Sequence, residues 1–169
     1  MIDIDTEAIR RLRDHFLHPQ VDAEVCSDEQ RSQATPALRQ AVLRRAEPFA
    51  ETLYLVMQAD NHAAAEEQRI LRGALRILTE GWVDDESLDA LQQEFAIRLA
   101  QQGAAARVQQ LGTRLSTHAQ DREMAFSLAA AVALADASVE VSEHALLQQM
   151  AEDYGISARR MAILLGALD

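Results

Sequence analysis

The sequence predicts an all-α protein. Hydrophobic residues make up 49% of the 169-residue chain, whereas aromatic residues make up only 4%. The apolar content is therefore mainly Ala and Leu, which favour helices. The chain has three Pro and six Gly, and it lacks the sustained alternation of apolar and polar residues that half-buried strands show. These observations predict a compact domain of about seven to nine helices.

The first 34 residues are predicted to form an N-terminal arm of one helix and a loop. Residues 7–17 read as an amphipathic helix, because Ile9, Leu12 and Phe16 fall on one face. Pro19 ends this helix, and the polar residues after it show little periodicity. We expect the arm to dock onto a helical domain that occupies residues 35–169.

Helix starts in that domain are predicted where a capping side chain precedes a periodic apolar run. These positions are Thr35 before Pro36, Asp84 or Asp85, Ser142 and Ser157. Pro48 either kinks the first of these helices or begins a second one at Glu47.

Glycines at the ends of apolar runs predict helix stops, and they lie at Gly81, Gly103 and Gly155. The order Tyr154-Gly155-Ile156 predicts a Schellman motif, in which a hydrophobic residue follows the glycine. The last helix is expected to pack back onto the domain through its apolar residues. Those residues are Met161, Ile163, Leu164 and Leu165.

One short motif occurs twice, each time between two apolar helical runs. Glu67 follows Asp60 by seven positions, and Glu143 follows Asp136 by the same distance. The two Asp residues are 76 positions apart, and the flanking apolar residues repeat with the same offset. This duplication predicts two pseudo-symmetric helix-loop-helix halves within one domain.

Charge, hydropathy and cysteine content indicate which partners and which cellular compartment the protein has. The net charge of −11 disfavours binding to nucleic-acid phosphates, so we expect no nucleic-acid partner. No apolar run approaches the roughly 18 residues that a transmembrane helix needs, so we expect no membrane insertion. A single cysteine, Cys26, fits a reducing compartment, and the N-terminus lacks a signal-peptide pattern. The sequence therefore predicts a cytoplasmic protein.

The repeated Asp and Glu, together with the Tyr154-Gly155-Ile156-Ser157 stop, make residues 36–169 similar to the TerB-like family. That family includes a tellurite-resistance protein and domains found beside DnaJ-type co-chaperones. The chain departs from the family pattern after each Asp, where Asn61 and Ala137 replace the usual glycine. The resemblance implies an all-helical domain of two related halves that acts in stress response.

The resemblance also implies that acidic residues of both halves meet on one surface and bind a divalent cation such as Ca²⁺, Mg²⁺ or Mn²⁺. The matching carboxylates here are Asp60, Glu67, Asp136 and Glu143. Hard cations prefer several oxygen ligands, which agrees with such a cluster. An alternative needs no ligand, because each Glu lies where an acid favours the helix dipole and each Asp can cap its loop.

An EF-hand is excluded at the second motif. Counted from Asp136, the sixth position holds Val141 instead of Gly, and the twelfth holds Leu147 where a bidentate Glu is required. No nucleophile motif, phosphate-binding loop or zinc spacing appears elsewhere. We therefore predict a protein that is not an enzyme, needs no cofactor, and binds a protein partner or a second copy of itself. Divalent-metal binding or sensing through the four carboxylates is the alternative.

Overall fold

The computed structural model describes residues 35–59, 65–79, 83–135 and 141–166. In these ranges the chain forms seven α-helices and no strand, which confirms the all-α prediction. The helices are α1 (Pro36–Met57), α2 (Ala65–Leu78), α3 (Asp85–Gln102), α4 (Ala104–Leu115), α5 (Ala119–Ala135), α6 (Val141–Asp153) and α7 (Ala158–Leu165). The predicted N-terminal arm and the stop at Gly81 lie outside the described residues.

Capping side chains begin three of these helices as predicted. The Thr35 hydroxyl accepts a hydrogen bond from the Leu38 N–H at 3.3 Å, and Pro36 occupies the first position of α1. Asp84 caps α3 in the same way, and Ser157 caps α7. Helix α6 begins at Val141, so Ser142 lies inside the helix and its assignment as the N-cap is wrong.

Helix α1 continues through Pro48 without a break. The interpretation in which a second helix begins at Glu47 is therefore wrong. Pro48 has no N–H to donate, but its carbonyl accepts a hydrogen bond from the Thr52 hydroxyl at 2.8 Å. Burial also supports the helix here, since Phe49, Ala50 and Leu53 are at most 2% exposed. Packing thus outweighs the local cost of the proline.

The turn after α6 is the predicted Schellman motif. The Ile156 N–H donates to the Ala151 carbonyl at 2.8 Å, and the Gly155 N–H donates to the Glu152 carbonyl at 3.0 Å. Gly155 has φ of +67°, which a residue with a side chain adopts only with strain. The motif turns the chain sharply and directs α7 onto α5.

Ion pairs show the directions of α3 and α4 relative to α1. Arg39 of α1 pairs with Asp84, at the start of α3, at 3.8 Å. Glu47, further along α1, pairs with Arg98, near the end of α3, at 2.7 Å. Helix α3 therefore runs parallel to α1. In α4 the order is reversed, because Arg107 pairs with Glu51 and Arg114 pairs with Glu47. Helix α4 is antiparallel to α1.

Helix α6 is also antiparallel to α1. The Thr52 and Tyr154 hydroxyls are hydrogen-bonded at 2.7 Å, whereas Ala59, beyond the end of α1, shares a groove with Leu146, which lies nearer the start of α6. The start of α5 lies beside the end of α6, so these two helices are antiparallel to each other. It follows that α1 and α5 run parallel and end at the same end of the bundle.

The core lies around α1, which packs against α2 to α6, and around α5, which packs against α1, α4, α6 and α7. Its largest fully buried side chains include Tyr154, Phe49, Phe95 and Phe126.

The last helix is an exception to the predicted core. Met161, Leu164 and Leu165 are half-buried, but Ile163 is 51% exposed, so its inward placement is wrong. Among the described helices, α7 packs mainly on α5.

The buried hydrogen bond between α1 and the end of α6 gives a testable prediction. The Thr52 hydroxyl donates its one hydrogen to Pro48, so the Tyr154 hydroxyl is the donor to Thr52. Burial raises the pKa of Tyr154, so its hydroxyl keeps the proton that it donates. Tyr154→Phe should lower the free energy of unfolding by about 0.5–1.5 kcal/mol, measured by chemical denaturation. Tyr54→Phe, at the chain's other and half-buried tyrosine, should change it by less than about 0.5 kcal/mol. Equal effects of the two variants would contradict this assignment.

Candidate functional site

None of the four predicted metal-binding carboxylates has a side chain in the described part of the structure. Asp60 and Asp136 are outside the described residues. Glu67 lies in the first turn of α2 and Glu143 in the first turn of α6, but their side chains are outside the described part. The prediction that these carboxylates bind a cation therefore remains a prediction. Among the side chains that the structure does describe, no three His, Cys, Asp or Glu form a metal-binding group.

The helices that precede the two motifs are nevertheless placed consistently. Ala59 is the last described residue before the first motif, and Ala135 is the last before the second. Because α1 and α5 run parallel, both positions lie at the same end of the bundle. The two helices that follow, α2 and α6, also begin at that end. The fold thus starts both connecting segments from one side of the domain.

A groove opens near this end of the bundle. It has a volume of about 440 Å³, and it is lined by Leu55, Gln58, Ala59, Leu99, Ala104, Ala105, Leu146 and Gln149. The lining comes from the end of α1, the α3–α4 junction and the middle of α6. Gly103, with φ of +77°, forms that junction and lets α4 begin directly after α3. The sharp junction brings Leu99 and the first residues of α4 to the same groove.

The described residues that line the groove offer hydrocarbon and amide groups, and none of them is charged. Leu99 and Leu146 are half-buried, while Ala104 and Ala105 are exposed. Gln149 at the rim donates a hydrogen bond to the Asp153 carboxylate at 2.7 Å. Apolar clefts with a few polar groups at the edge are typical binding sites for side chains of a partner or ligand. This arrangement suits recognition through shape and apolar contact.

Comparison of the chain with known protein families, with curated proteins and with solved structures found no match.

A buried ion-pair cluster holds the walls of the groove in position. We call it the Glu51 cluster; its members are Glu47, Glu51, Arg98, Arg107 and Arg114. Glu51 is 1% exposed and accepts two hydrogen bonds from Arg107. Nε of Arg107 donates to Oε1 of Glu51 at 2.7 Å, and Nη2 of Arg107 donates to Oε2 of Glu51 at 2.8 Å. A third donor, Nη1 of Arg98, reaches its Oε2 at 3.1 Å. A buried carboxylate is tolerated because it is paired in this way.

The Glu51 cluster joins three helices. Glu47 accepts hydrogen bonds from Arg98 of α3 at 2.7 Å and from Arg114 of α4 at 3.2 and 3.1 Å. Arg98 is the direct neighbour of Leu99 in the groove, and Arg107 follows Ala105 by two positions. The cluster thus fixes α3 and α4 against α1 immediately behind the groove wall. Its chemistry is structural, since each cation faces a carboxylate.

These ion pairs predict a stability loss in acid. Burial alone would raise the pKa of Glu47, but hydrogen bonds from Arg114 and Arg98 outweigh it and hold the pKa below its ordinary value of 4.5. A group whose pKa is lowered by folding stabilises the protein above its ordinary pKa, and this contribution disappears as the pH falls through the lowered value. The stability gap between the wild-type protein and Glu47→Gln should therefore close below pH 4.5. Denaturation curves across pH test this. A gap that stays constant into acid would contradict the ion-pair assignment.

The sequence predicts neither the residues that line the groove nor the Glu51 cluster. A signal was present for Glu51, which lies within the dense apolar run from Phe49 to Met57. A carboxylate inside such a run needs a buried cation as its partner. The identity of that partner was not readable, because Arg107 is 56 positions away along the chain. The groove depends on the crossing of four helices, which local patterns do not encode.

A second, smaller cavity of about 260 Å³ lies at the turn between α6 and α7. Arg122, Glu123, Ser157 and Arg160 line it. Arg160 makes two hydrogen bonds of 2.7 Å to the Glu123 carboxylate, and these bonds lower the pKa of Glu123. The pair joins α7 to α5 and explains the position of the last helix.

Proposed function

We propose that this chain is a non-catalytic protein-interaction module of the cytoplasm, of the TerB-like, tellurite-resistance and stress-response type. The observation that carries this proposal is the open, uncharged groove between α1, α3, α4 and α6. Its described lining offers contact surface and hydrogen-bonding amides, and no acid–base pair for proton transfer is among these residues. The partner that suits it is a protein segment with apolar side chains on one face.

Two observations support the TerB-like part of the proposal. Helix α2 begins at Ala65 and α6 begins at Val141, which is the same 76-residue offset that separates the two Asp motifs. Equivalent positions of the two helices are buried alike. These pairs are Leu71 with Leu147, Leu75 with Ala151, and Leu78 with Tyr154. Both features agree with two related helix-loop-helix halves.

A comparative capture experiment tests the interaction function. Ala105→Arg places a long charged side chain in the groove at an exposed position, so it should not disturb the core. Ala162→Arg makes the same change at an exposed position of α7, outside the groove lining. Proteins captured from the native host by the wild-type chain and by Ala162→Arg should be lost with Ala105→Arg. Identical capture by all three proteins would exclude the groove.

The partner can also be a second copy of the chain. Sedimentation of the purified protein distinguishes this case. A dimer that Ala105→Arg converts to a monomer, while Ala162→Arg does not, would identify the groove as a self-association site. A monomer at every concentration would leave a different protein as the partner.

Divalent-metal binding is the second candidate function, because α1 and α5 end at the same end of the bundle. The connections that carry Asp60 and Asp136 therefore start on one side of the domain, as a shared carboxylate surface requires. Calorimetric titration with Ca²⁺, Mg²⁺ and Mn²⁺ tests it. Asp60→Asn combined with Asp136→Asn should abolish binding. A control with Glu86→Gln and Glu152→Gln removes as many charges from exposed helix positions and should leave binding unchanged. Binding that survives the Asp substitutions would rule out this surface.

A further inference from the structure

The cavity at the turn between α6 and α7 has charged walls, and it shares no lining residue with the groove. Its charged side chains are Arg122 and Glu123 of α5 and Arg160 of α7. Ser157, directly before α7, adds a hydroxyl group. What this cavity can bind depends on which of these charges are already paired.

The charges of Glu123 and Arg160 are paired with each other. Nε and Nη2 of Arg160 each donate a hydrogen bond of 2.7 Å, one to each oxygen of the Glu123 carboxylate. A bidentate pair of this kind is a strong charge-assisted contact. Because the two opposite charges cancel, the net charge of the described lining is that of Arg122.

Arg122 has no carboxylate of its own. Three arginines in the described part of the chain have a buried Nε atom without a hydrogen-bond acceptor: Arg39, Arg72 and Arg122. Arg39 and Arg72 still pair through a terminal nitrogen, with Asp84 and Asp89. Arg122 makes no such ion pair with the described residues, and its side chain is half-buried. A donor that is buried without an acceptor is costly, so the Arg122 guanidinium has both the capacity and a reason to bind an anion.

The turn beside Arg122 supplies space and a second donor. A Cβ atom at Gly155 would lie 3.1 Å from Nη1 of Arg122, so the missing side chain lets the guanidinium lie close to the turn. The Ser157 hydroxyl accepts a hydrogen bond from the Arg160 N–H at 3.3 Å, and this bond leaves the hydroxyl hydrogen available for donation. One unpaired positive charge and a nearby hydroxyl donor are the groups that an oxyanion requires.

We propose that this cavity binds the carboxylate group of a small organic acid, with Arg122 as the charged donor and Ser157 as the second donor. The planar guanidinium of arginine matches the geometry of a carboxylate. A carboxylate carries one negative charge, which the unpaired charge of Arg122 balances. A phosphate dianion would bring a second negative charge close to Glu123, in a protein with a net charge of −11. The site is separate from the groove and does not depend on the proposed function.

A nuclear magnetic resonance titration of the full-length protein tests the proposal. The probe is propionate, added at neutral pH and constant ionic strength. Saturable shifts are expected for the Nε–H signal of Arg122 and for the backbone N–H signals of Gly155 and Ser157. Propionamide, which has the same shape and no charge, should cause no saturable shift of these signals.

Three variants identify the donors. Arg122→Gln should weaken propionate binding at least about tenfold, because it removes the charged donor. Ser157→Asp keeps a side chain that caps α7 but replaces the hydroxyl donor with a negative charge, so it should abolish binding by a different route. Arg159→Gln is the matched control, since it removes one positive charge from an exposed position of α7 outside the cavity lining. It should change the affinity less than about twofold.

Four results would overturn the proposal. Equal propionate affinities of the wild type and Arg122→Gln would exclude Arg122 as the donor, and unimpaired binding by Ser157→Asp would exclude the cavity. Equal shifts with propionamide and propionate would show that charge plays no part. Tighter binding of inorganic phosphate than of propionate would contradict the assignment of a carboxylate. The groove is tested separately, because Ala105→Arg should leave propionate binding unchanged whether or not it abolishes the capture of a partner.

Discussion

Glu51→Ala should lower the free energy of unfolding by about 3–5 kcal/mol, because it leaves the buried guanidinium of Arg107 without its carboxylate. Arg107 is 5% exposed, so water cannot replace the lost partner. Arg98 loses one of its acceptors at the same time. Denaturation by urea, monitored by circular dichroism, measures the loss.

Two controls show whether the loss of stability comes from leaving a buried charge unpaired or only from losing one ion pair. Glu94→Ala removes an exposed carboxylate that also pairs with Arg98, and it should cost no more than about 1 kcal/mol. Replacing both buried partners, Glu51→Leu with Arg107→Leu, should recover most of the stability that Glu51→Ala loses, because no unpaired charge remains. A cost below about 1 kcal/mol for Glu51→Ala itself would contradict the buried-pair account.

Gly112→Ala should destabilise the protein by about 1–3 kcal/mol through overpacking between α4 and α6. A Cβ atom at Gly112 would lie 2.3 Å from the carbonyl oxygen and 2.8 Å from the carbonyl carbon of Asp153. Both are backbone atoms, so no side-chain rotation relieves the clash and the two helices must separate. The melting temperature and the urea midpoint should both fall.

Gly73→Ala is the matched control. Gly73 lies inside α2, and a Cβ atom there would meet nothing within 4 Å. The change should raise stability by up to about 1 kcal/mol, because Ala favours the helix and Gly does not. Opposite signs for the two Gly→Ala changes are therefore expected. Two effects of the same sign would show that helix propensity, and not the close approach of α4 and α6, decides the result at Gly112.

Local sequence patterns predicted several helix ends correctly. Three helix caps and one helix-ending turn lie where the sequence predicts, at Thr35, Asp84, Ser157 and Gly155. They are predictable because capping depends on residues within a few positions of one another. Pro48 was ambiguous for a physical reason. Whether a proline breaks a helix depends on the packing around it, and here the buried face of α1 keeps the helix continuous.

The candidate site depended on contacts between residues distant in sequence. Leu55, Leu99 and Leu146 each appear as an apolar position of a separate helix, and only the packing of those helices turns them into one groove. Ile163 shows the converse limit, since its helix is apolar but none of the described helices buries this side chain. Periodicity predicts which face is apolar, and the neighbouring helices decide whether that face is buried.

The proposed function places a protein partner in the groove between α1, α3, α4 and α6. Its most direct test is the affinity of a captured and purified partner for three chains: the wild type, Ala105→Arg and Ala162→Arg, measured by titration calorimetry. Ala105→Arg should weaken binding at least about tenfold, which corresponds to about 1.4 kcal/mol, whereas Ala162→Arg should bind like the wild type. Equal affinities for all three chains would contradict the proposed function.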